Sequence, residues 1–376
     1  MRKPASRLDG VGISLIRRVL EAAPKDAINL GFGEPNFDTP RAILRAAHES
    51  LDEGRLGYTA TAGLPELRQA IAEYSGGRLR PDSVLVTVGA QEALFATMVA
   101  WLGPGQEVLV PDPGFPAYPA IARLAGASPV PYPLRASDGF QFRAAALESL
   151  ISARTRALVL NSPANPTGVI ISFEELQAVA KLAADHELLV ISDEVYREIY
   201  FGERPHSYLD VSTDGVVVSS LSKFASMTGW RLGWAVGTPE RLEPIRVIHQ
   251  YAVTCASAPS QKAALAAFGT DAQQEAASFR RELRRRRDLL ATLARERLGF
   301  SPLIPEATFY MLIEAAPAGD SLRTAMELVE HARVITIPGA AFGEEASRFL
   351  RLSFSVEEEE MRDGIERIRG ALRRNQ

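Results

Sequence analysis

The sequence predicts an α/β protein: a mostly parallel sheet packed between helices, with a smaller α+β part appended. Three observations predict it. Short apolar, β-branched runs recur at "SVLVTVGA" (83–90), "EVLVPDPG" (107–114), "RALVLNSP" (156–163), "LLVISDEVY" (188–196) and "GVVVSSLSK" (215–223). Helical patterns fall between them, and the alternation ends after about residue 265. Runs that are apolar on both faces suit strands covered on both sides. Strands alternating with helices imply right-handed crossovers and parallel pairing.

The start, "MRKPASRLDG", carries positive charge but no apolar stretch long enough for a signal peptide. The interstrand helices read as "QEALFATMVAWL", "FPAYPAIARLAG" and "SFEELQAVAKLAADH". Ser172 and Glu175 open the last with capping-box spacing. "FRRELRRRRDLLATLARERLGF" predicts one long helix with a basic face; interleaved acids favour a solvated helix linking two domains over a nucleic-acid surface. Short strands follow at "TFYMLIE", "ARVITIPG" and "FLRLSFSV". The final helix opens in the acids Glu357 to Glu360, which are read as a dipole cap and nothing more.

A chain of 376 residues is too long for one simple core. The expected division is residues 1–40 as an N-terminal segment joining the small domain, 41–270 as the large domain and 271–376 as the small one. The 46% hydrophobic and 23% charged content is ordinary for a globular protein. A net charge of −4 gives no general attraction to nucleic acid or anionic membrane. No run approaches the roughly 18 apolar residues of a membrane span. The single cysteine, Cys255, forms no internal disulfide and fits a reducing compartment. The expectation is a cytoplasmic protein without a metal site.

Ligands of an open parallel sheet bind at the carboxyl ends of its strands, and polar groups gather there. Gly89, Ala90 and Gln91 stand where a strand turns into a helix, so amides and helix dipole face an anion. Asp193 follows "LLVIS" and needs a partner at that depth, which a structural ion pair would equally supply. "NSPANPTG" (161–168) reads on its own as a turn-rich loop. "SLSKFASMTGWRLGW" (220–234) puts Lys223 among small hydroxyl residues, with Arg231 following. A half-buried lysine takes a counter-ion, a lowered pKa or a covalent partner; alone, it reads as a side chain reaching water. Together these groups match pyridoxal phosphate, which requires a lysine for its aldehyde, an acid for its ring nitrogen and an anion site.

With "LGFGEPNFDTP" (30–40), "YTATAGLPELR" (58–68), "SDEVY" (192–196) and "RLSFS" (351–355), the chain resembles the fold type I pyridoxal-phosphate aminotransferases of class I/II, and within them the bacterial aspartate aminotransferase subgroup. The resemblance covers nearly the whole chain. It implies a seven-stranded sheet in the large domain and a homodimer with shared active sites. It makes Lys223 the Schiff-base lysine and proton carrier, and Asp193 the acid on the pyridine nitrogen. Tyr196 and Asn165 contact the phenolic oxygen. Ser220, Ser222, Arg231 and the Gly89–Ala90–Gln91 turn hold the phosphate, which a guanidinium suits by bidentate bonding. Tyr58 matches a tyrosine that reaches the neighbouring subunit's phosphate. Phe115 takes the ring-stacking position, a departure from the tryptophan of related aspartate enzymes that keeps the aromatic face.

Arg351 interrupts an alternating strand, which is unfavourable unless an anion meets it; an exposed strand face is the plainer reading of that segment. The resemblance makes it the clamp for the substrate α-carboxylate, assisted by Asn165 and the Gly33 amide. Where similar bacterial enzymes place a lysine for the distal carboxylate, this chain has Gln91. That departure weakens dicarboxylate selection unless an arginine elsewhere replaces the cation. Phe32, Phe115, Tyr118 and Phe342 add apolar surface or belong to the core. Aspartate, alanine and aromatic donors all stay open, with 2-oxoglutarate as the expected acceptor.

The nearest rival is a C–S β-lyase or amino-acid-derived synthase using the same cofactor. A ligand-sensing module fused to a DNA-binding domain is disfavoured by the short N-terminal region and by Lys223. A dehydrogenase lacks its G-x-G-x-x-G, since "VTVGAQEAL" offers one glycine.

Overall fold

A computed structural model describes residues 5–54, 56–316 and 320–374 of the protein; the first four residues of the charged start lie outside it. Helix α1 (Leu15–Ala22) leads into the short strand β1 (Ile28–Asn29), then α2 (Arg41–Asp52) and α3 (Pro65–Tyr74). Next comes an alternating stretch: β2 (Val84–Thr87), α4 (Ala90–Trp101), β3 (Glu107–Asp112), α5 (Ala117–Leu124), β4 (Ser128–Pro133), β5 (Thr155–Asn161), α6 (Phe173–Asp185) and β6 (Leu189–Asp193). It closes with β7 (Gly215–Ser220), β8 (Gly233–Val236), α7 (Pro239–Val253) and α8 (Ala258–Leu265). The long helix α9 (Thr270–Leu293), β9 (Tyr310–Ile313), α10 (Ser321–Ala332), β10 (Val334–Ile335), β11 (Ile337–Pro338), β12 (Leu350–Ser353) and α11 (Glu358–Arg374) complete the chain.

Strands β2 to β8 form a seven-stranded sheet in the order β2-β8-β7-β6-β5-β3-β4. Only β8 runs against its neighbours, so the sheet is parallel elsewhere. Successive residues of these strands feed two separate apolar clusters, for example Leu158 in one and Val159 in the other. This is the period of two of a strand buried on both faces. The fold class is the one expected from the sequence.

Two strands of this sheet are additions. β4 carries Pro129, Pro131 and Pro133, yet it pairs with β3 alone at the sheet edge, where a missing N–H is tolerated. β8 begins in the last two residues of the Lys223 motif and runs on to Val236. In the C-terminal part β11, β12 and β9 form a three-stranded antiparallel sheet, while β1 pairs with β10. "ARVITIPG" is thus split between two sheets at Thr336.

Three local expectations change. Ser172 Oγ accepts the Glu175 amide at 3.3 Å and does cap α6, but the Glu175 carboxylate accepts from the Ala144 amide at 2.6 Å instead of closing the box. The basic helix α9 is not simply solvated: Arg286 is buried and donates to Glu282, Asn36, the Val356 carbonyl and Glu357. The acidic run is therefore more than a dipole cap, because Glu357 pairs with Arg286 and Glu358 with Arg285.

Candidate active site

The parallel strands bring their carboxyl ends to one edge, where a cleft of about 1040 Å³ opens. Asn161 and Asp193 end adjacent strands and face each other in register. Ser220 ends β7 opposite Gly233, and Lys223 follows in the turn beyond. Strand pairing alone therefore gathers side chains that lie far apart in sequence.

Asp193 is 3% exposed. Burial pushes its carboxyl up to about 6, although bonds from Tyr118 and the Val195 amide and the nearby Lys223 charge favour ionisation. The Tyr118 hydroxyl donates to Oδ2 at 2.7 Å and the Val195 amide to Oδ1 at 3.2 Å. Lys223 is half-buried, and its Nζ donates to the Gly33 carbonyl at 2.6 Å. Loss of hydration brings its ammonium down to about 8; Glu34 and Asp193 oppose the shift, while Arg351 and Arg231 assist it. A lysine held this way is an available nucleophile and proton acceptor near neutral pH.

Helix α4 opens at Ala90 with Gly89 as its N-cap and no side-chain cap. Its first amides therefore face the cleft with the positive end of the dipole. Gly89 has φ +79°, which favours glycine, and a Cβ there would lie 2.5 Å from Arg231 Nη2 and displace that guanidinium. Arg231 itself takes φ +53°, uncommon for a branchless but bulky side chain, and donates from Nη1 to the Thr228 carbonyl at 2.8 Å. Ser220 and Ser222 are buried at the same corner, with the Ser222 amide 3.3 Å from Ser220 Oγ.

Arg351 of β12 crosses from the smaller sheet into the cleft and is 2% exposed. Its Nη1 donates to Asn165 Oδ1 at 2.9 Å and its Nη2 to the Gly31 carbonyl at 3.0 Å. Its guanidinium lies 3.9 Å from the Tyr310 ring centroid and 4.9 Å from that of Phe342. Nε is buried without a partner. Desolvation lowers the proton affinity of the group, and among the described residues no carboxylate pairs with it. A buried guanidinium with a free donor is a carboxylate site in waiting.

Of the residues singled out from sequence, Gly33, Ala90, Gln91, Phe115, Asn165, Asp193, Tyr196, Ser220, Ser222, Lys223, Arg231 and Arg351 line this cleft, and Gly89 stands directly behind it. Tyr58 does not: it is 89% exposed and lies outside the cleft of its own chain. Phe32 lines the cleft with Phe115, whereas Phe342 is buried. Tyr118 is wholly buried in an apolar cluster at the cleft wall, and its hydroxyl donates to Asp193. Sequence reasoning missed Tyr310, whose hydroxyl lies 2.9 Å from that of Tyr196, and Asn161, which accepts the Asn165 amide at 2.9 Å. The strand-end position of Asn161 was a usable signal; Tyr310 has none in "TFYMLIE".

A reactive lysine above a buried acid, on the carboxyl edge of such a sheet, meets the requirements of a pyridoxal-phosphate-dependent transferase. The sequence profile of the family described as aminotransferase class I and II matches residues 25–368. An aspartate aminotransferase of Pyrococcus abyssi is 35% identical over 383 residues, covering 98% of each chain. Aromatic-amino-acid aminotransferase 2 of Thermococcus litoralis is 32% identical, also over 98% of each. The solved aspartate aminotransferase from Thermus thermophilus with maleate superposes with a TM-score of 0.93 at 33% identity, covering 99% of this chain and 100% of that one. The chain belongs to the class I and II aminotransferases, and it is an enzyme whose cofactor is pyridoxal phosphate.

Proposed function

We propose that the enzyme transfers the amino group of an L-amino acid of aspartate, alanine or aromatic type to a 2-oxo acid such as 2-oxoglutarate, with Lys223, Asp193 and Arg351 as its working groups. The observation that carries this is Lys223, brought down to about 8 beside a buried acid and an uncompensated guanidinium in one cleft. The residues fit the cofactor: an amine for its aldehyde, a carboxyl for its ring nitrogen, and an uncapped helix start beside Arg231 for its phosphate. Bound pyridoxal phosphate supplies an aldehyde for amines and a ring that accepts the electron pair of a broken Cα–H bond.

The chain's own side chains supply the rest. Lys223 Nζ would hold the proton removed from the substrate Cα until it is returned in each of two half-reactions. Asp193, kept in place by Tyr118, would keep the ring nitrogen protonated. Tyr196 and Asn165 would hold the phenolic oxygen, Ser220 and Ser222 would join the phosphate contacts, and Phe115 would cover the ring face. The Arg351 fork, oriented by Asn165, receives the α-carboxylate with help from the Gly33 amide. Tyr58, outside its own cleft, serves the phosphate of a second copy, so the enzyme acts as a cytoplasmic homodimer. The three-part division at residues 40 and 270 belongs to the same reading. Among the described residues, no helix is long and apolar enough to cross a membrane.

The test is the visible spectrum of the purified protein with pyridoxal phosphate, taken before and after single amino acids. One donor converts the band and a 2-oxo acid restores it, and Lys223→Ala abolishes both changes. A band that never converts would overturn the transfer reading in favour of a lyase or synthase.

A further inference from the structure

His249 lies on α7 with no exposure at all, away from the cleft. Its Nδ1 is 3.1 Å from both carboxylate oxygens of Glu92, and its Nε2 is 3.0 Å from the Thr61 carbonyl. The Thr61 carbonyl can only accept, so Nε2 carries a hydrogen and donates to it, while Nδ1 bonds the Glu92 carboxyl group. Glu92 belongs to the first turn of α4, beside Ala90 and Gln91, and it also accepts the Val88 amide at 3.1 Å. Thr61 belongs to the segment that carries Tyr58.

That segment is fixed almost everywhere else. Gln261 of α8, also fully buried, accepts the Leu64 amide at 2.8 Å and donates to Thr59 Oγ1 at 3.0 Å. The Val86 amide of β2 donates to the Ala62 carbonyl at 3.0 Å. Gly63 has φ +101°, and a Cβ there would lie 2.5 Å from Val86 Cγ2. Tyr58, at the end of the segment, is exposed.

Apolar residues of similar volume often replace a buried polar pair at no loss of stability, so stability alone does not account for this one. We infer that His249 is a positioning residue: through Glu92 and Thr61 it locks the phosphate-facing turn of α4 to the arm that presents Tyr58 to a second copy's cofactor phosphate. The inference rests on the proposed role of Tyr58. It means that the arm has one pose, set by the same helix that faces the protomer's own cofactor.

The experiment measures cofactor affinity, by titrating dialysed protein with pyridoxal phosphate, for wild type, Tyr58→Phe, His249→Gln and the double variant. Each single substitution weakens binding about tenfold, the scale of one lost bond to a charged group. The double variant falls no more than about twofold below the weaker single, because both changes remove the same contact. Wild-type affinity in His249→Gln, or multiplied losses in the double variant, overturns the inference while leaving the site reading intact. An unchanged affinity in Tyr58→Phe overturns the Tyr58 reading and the inference with it. Melting of the cofactor-free proteins separates the alternatives further: a purely structural His249 lowers the melting temperature without moving cofactor affinity. Should His249→Gln fail to fold, Glu92→Gln replaces it, with about threefold weaker binding and the same non-additivity expected.

Discussion

Tyr118 donates its hydroxyl hydrogen to Asp193 Oδ2 over 2.7 Å, and both side chains are buried. The bond favours the ionised carboxylate that burial disfavours. With the carboxyl raised to about 6 from an ordinary 3.8, its charge is lost as pH falls through about 6. Tyr118→Phe removes that support and lifts the carboxyl further. In the cofactor-free protein, where Asp193 has no cationic ring beside it, the loss of pyridoxal phosphate affinity caused by Tyr118→Phe is expected to grow to about fivefold as pH falls to 6 and to be small above pH 8. A loss that does not change with pH would show that Tyr118 only fills space.

Lys223 carries a stability penalty in the cofactor-free protein. Its folded value of about 8 lies below the ordinary 10.5. Between these values the folded state binds fewer protons than the unfolded chain, so stability rises with pH across that window, and the penalty is complete below about pH 8. Lys223→Met is therefore expected to stabilise the cofactor-free protein at pH 7 by roughly 1 to 3 kcal/mol, with a smaller gain at pH 9.5. Urea midpoints at the two pH values decide it; equal gains would mean that shape, not charge, is responsible.

The parallel sheet was legible because both faces of its strands are buried, which leaves unbroken apolar runs such as "RALVLNSP". β4 escaped because its prolines argue against a strand, and only its edge position makes them tolerable. Lys223, Asp193 and Arg351 stood out as polar residues set against apolar runs, but their expected roles came from the family resemblance. Their supports were not legible. Tyr118 stands 75 residues from Asp193, and Tyr196 stands 114 from Tyr310. Nothing local marks either pair, because the contacts exist only once the sheets have packed. The acids Glu357 and Glu358 were misjudged for the same reason: their partners Arg286 and Arg285 come from α9.

The Arg351 fork is divided between Asn165 Oδ1, the Gly31 carbonyl and a free Nε. A lysine keeps the charge but lacks the planar array of donors. Arg351→Lys is expected to raise KM for the amino acid and for the 2-oxo acid alike by about a hundredfold, the loss of one bidentate contact in a buried site. Cofactor affinity stays as in wild type. Steady-state kinetics with each substrate varied in turn test this, and an effect on one substrate alone would remove Arg351 from the shared carboxylate.

Gln91 sits exposed in the first turn of α4 and lines the cleft, as do Arg17 of α1 and Arg123 of α5 on other walls. A neutral amide at Gln91 leaves the acidic side chain of aspartate without a cation from this turn. Gln91→Lys is expected to raise the ratio of kcat/KM for aspartate over alanine about tenfold, the worth of one partly desolvated ion pair. A cation in a first helical turn opposes the dipole, so the variant also loses about 0.5 kcal/mol of stability. Both come from one substitution but separate by assay: the ratio reports side-chain recognition and the melt reports the dipole. A ratio that does not change would leave Arg17 and Arg123 as the cleft cations available to a distal carboxylate. Replacing each by glutamine, with aspartate and alanine compared again, then becomes the deciding measurement.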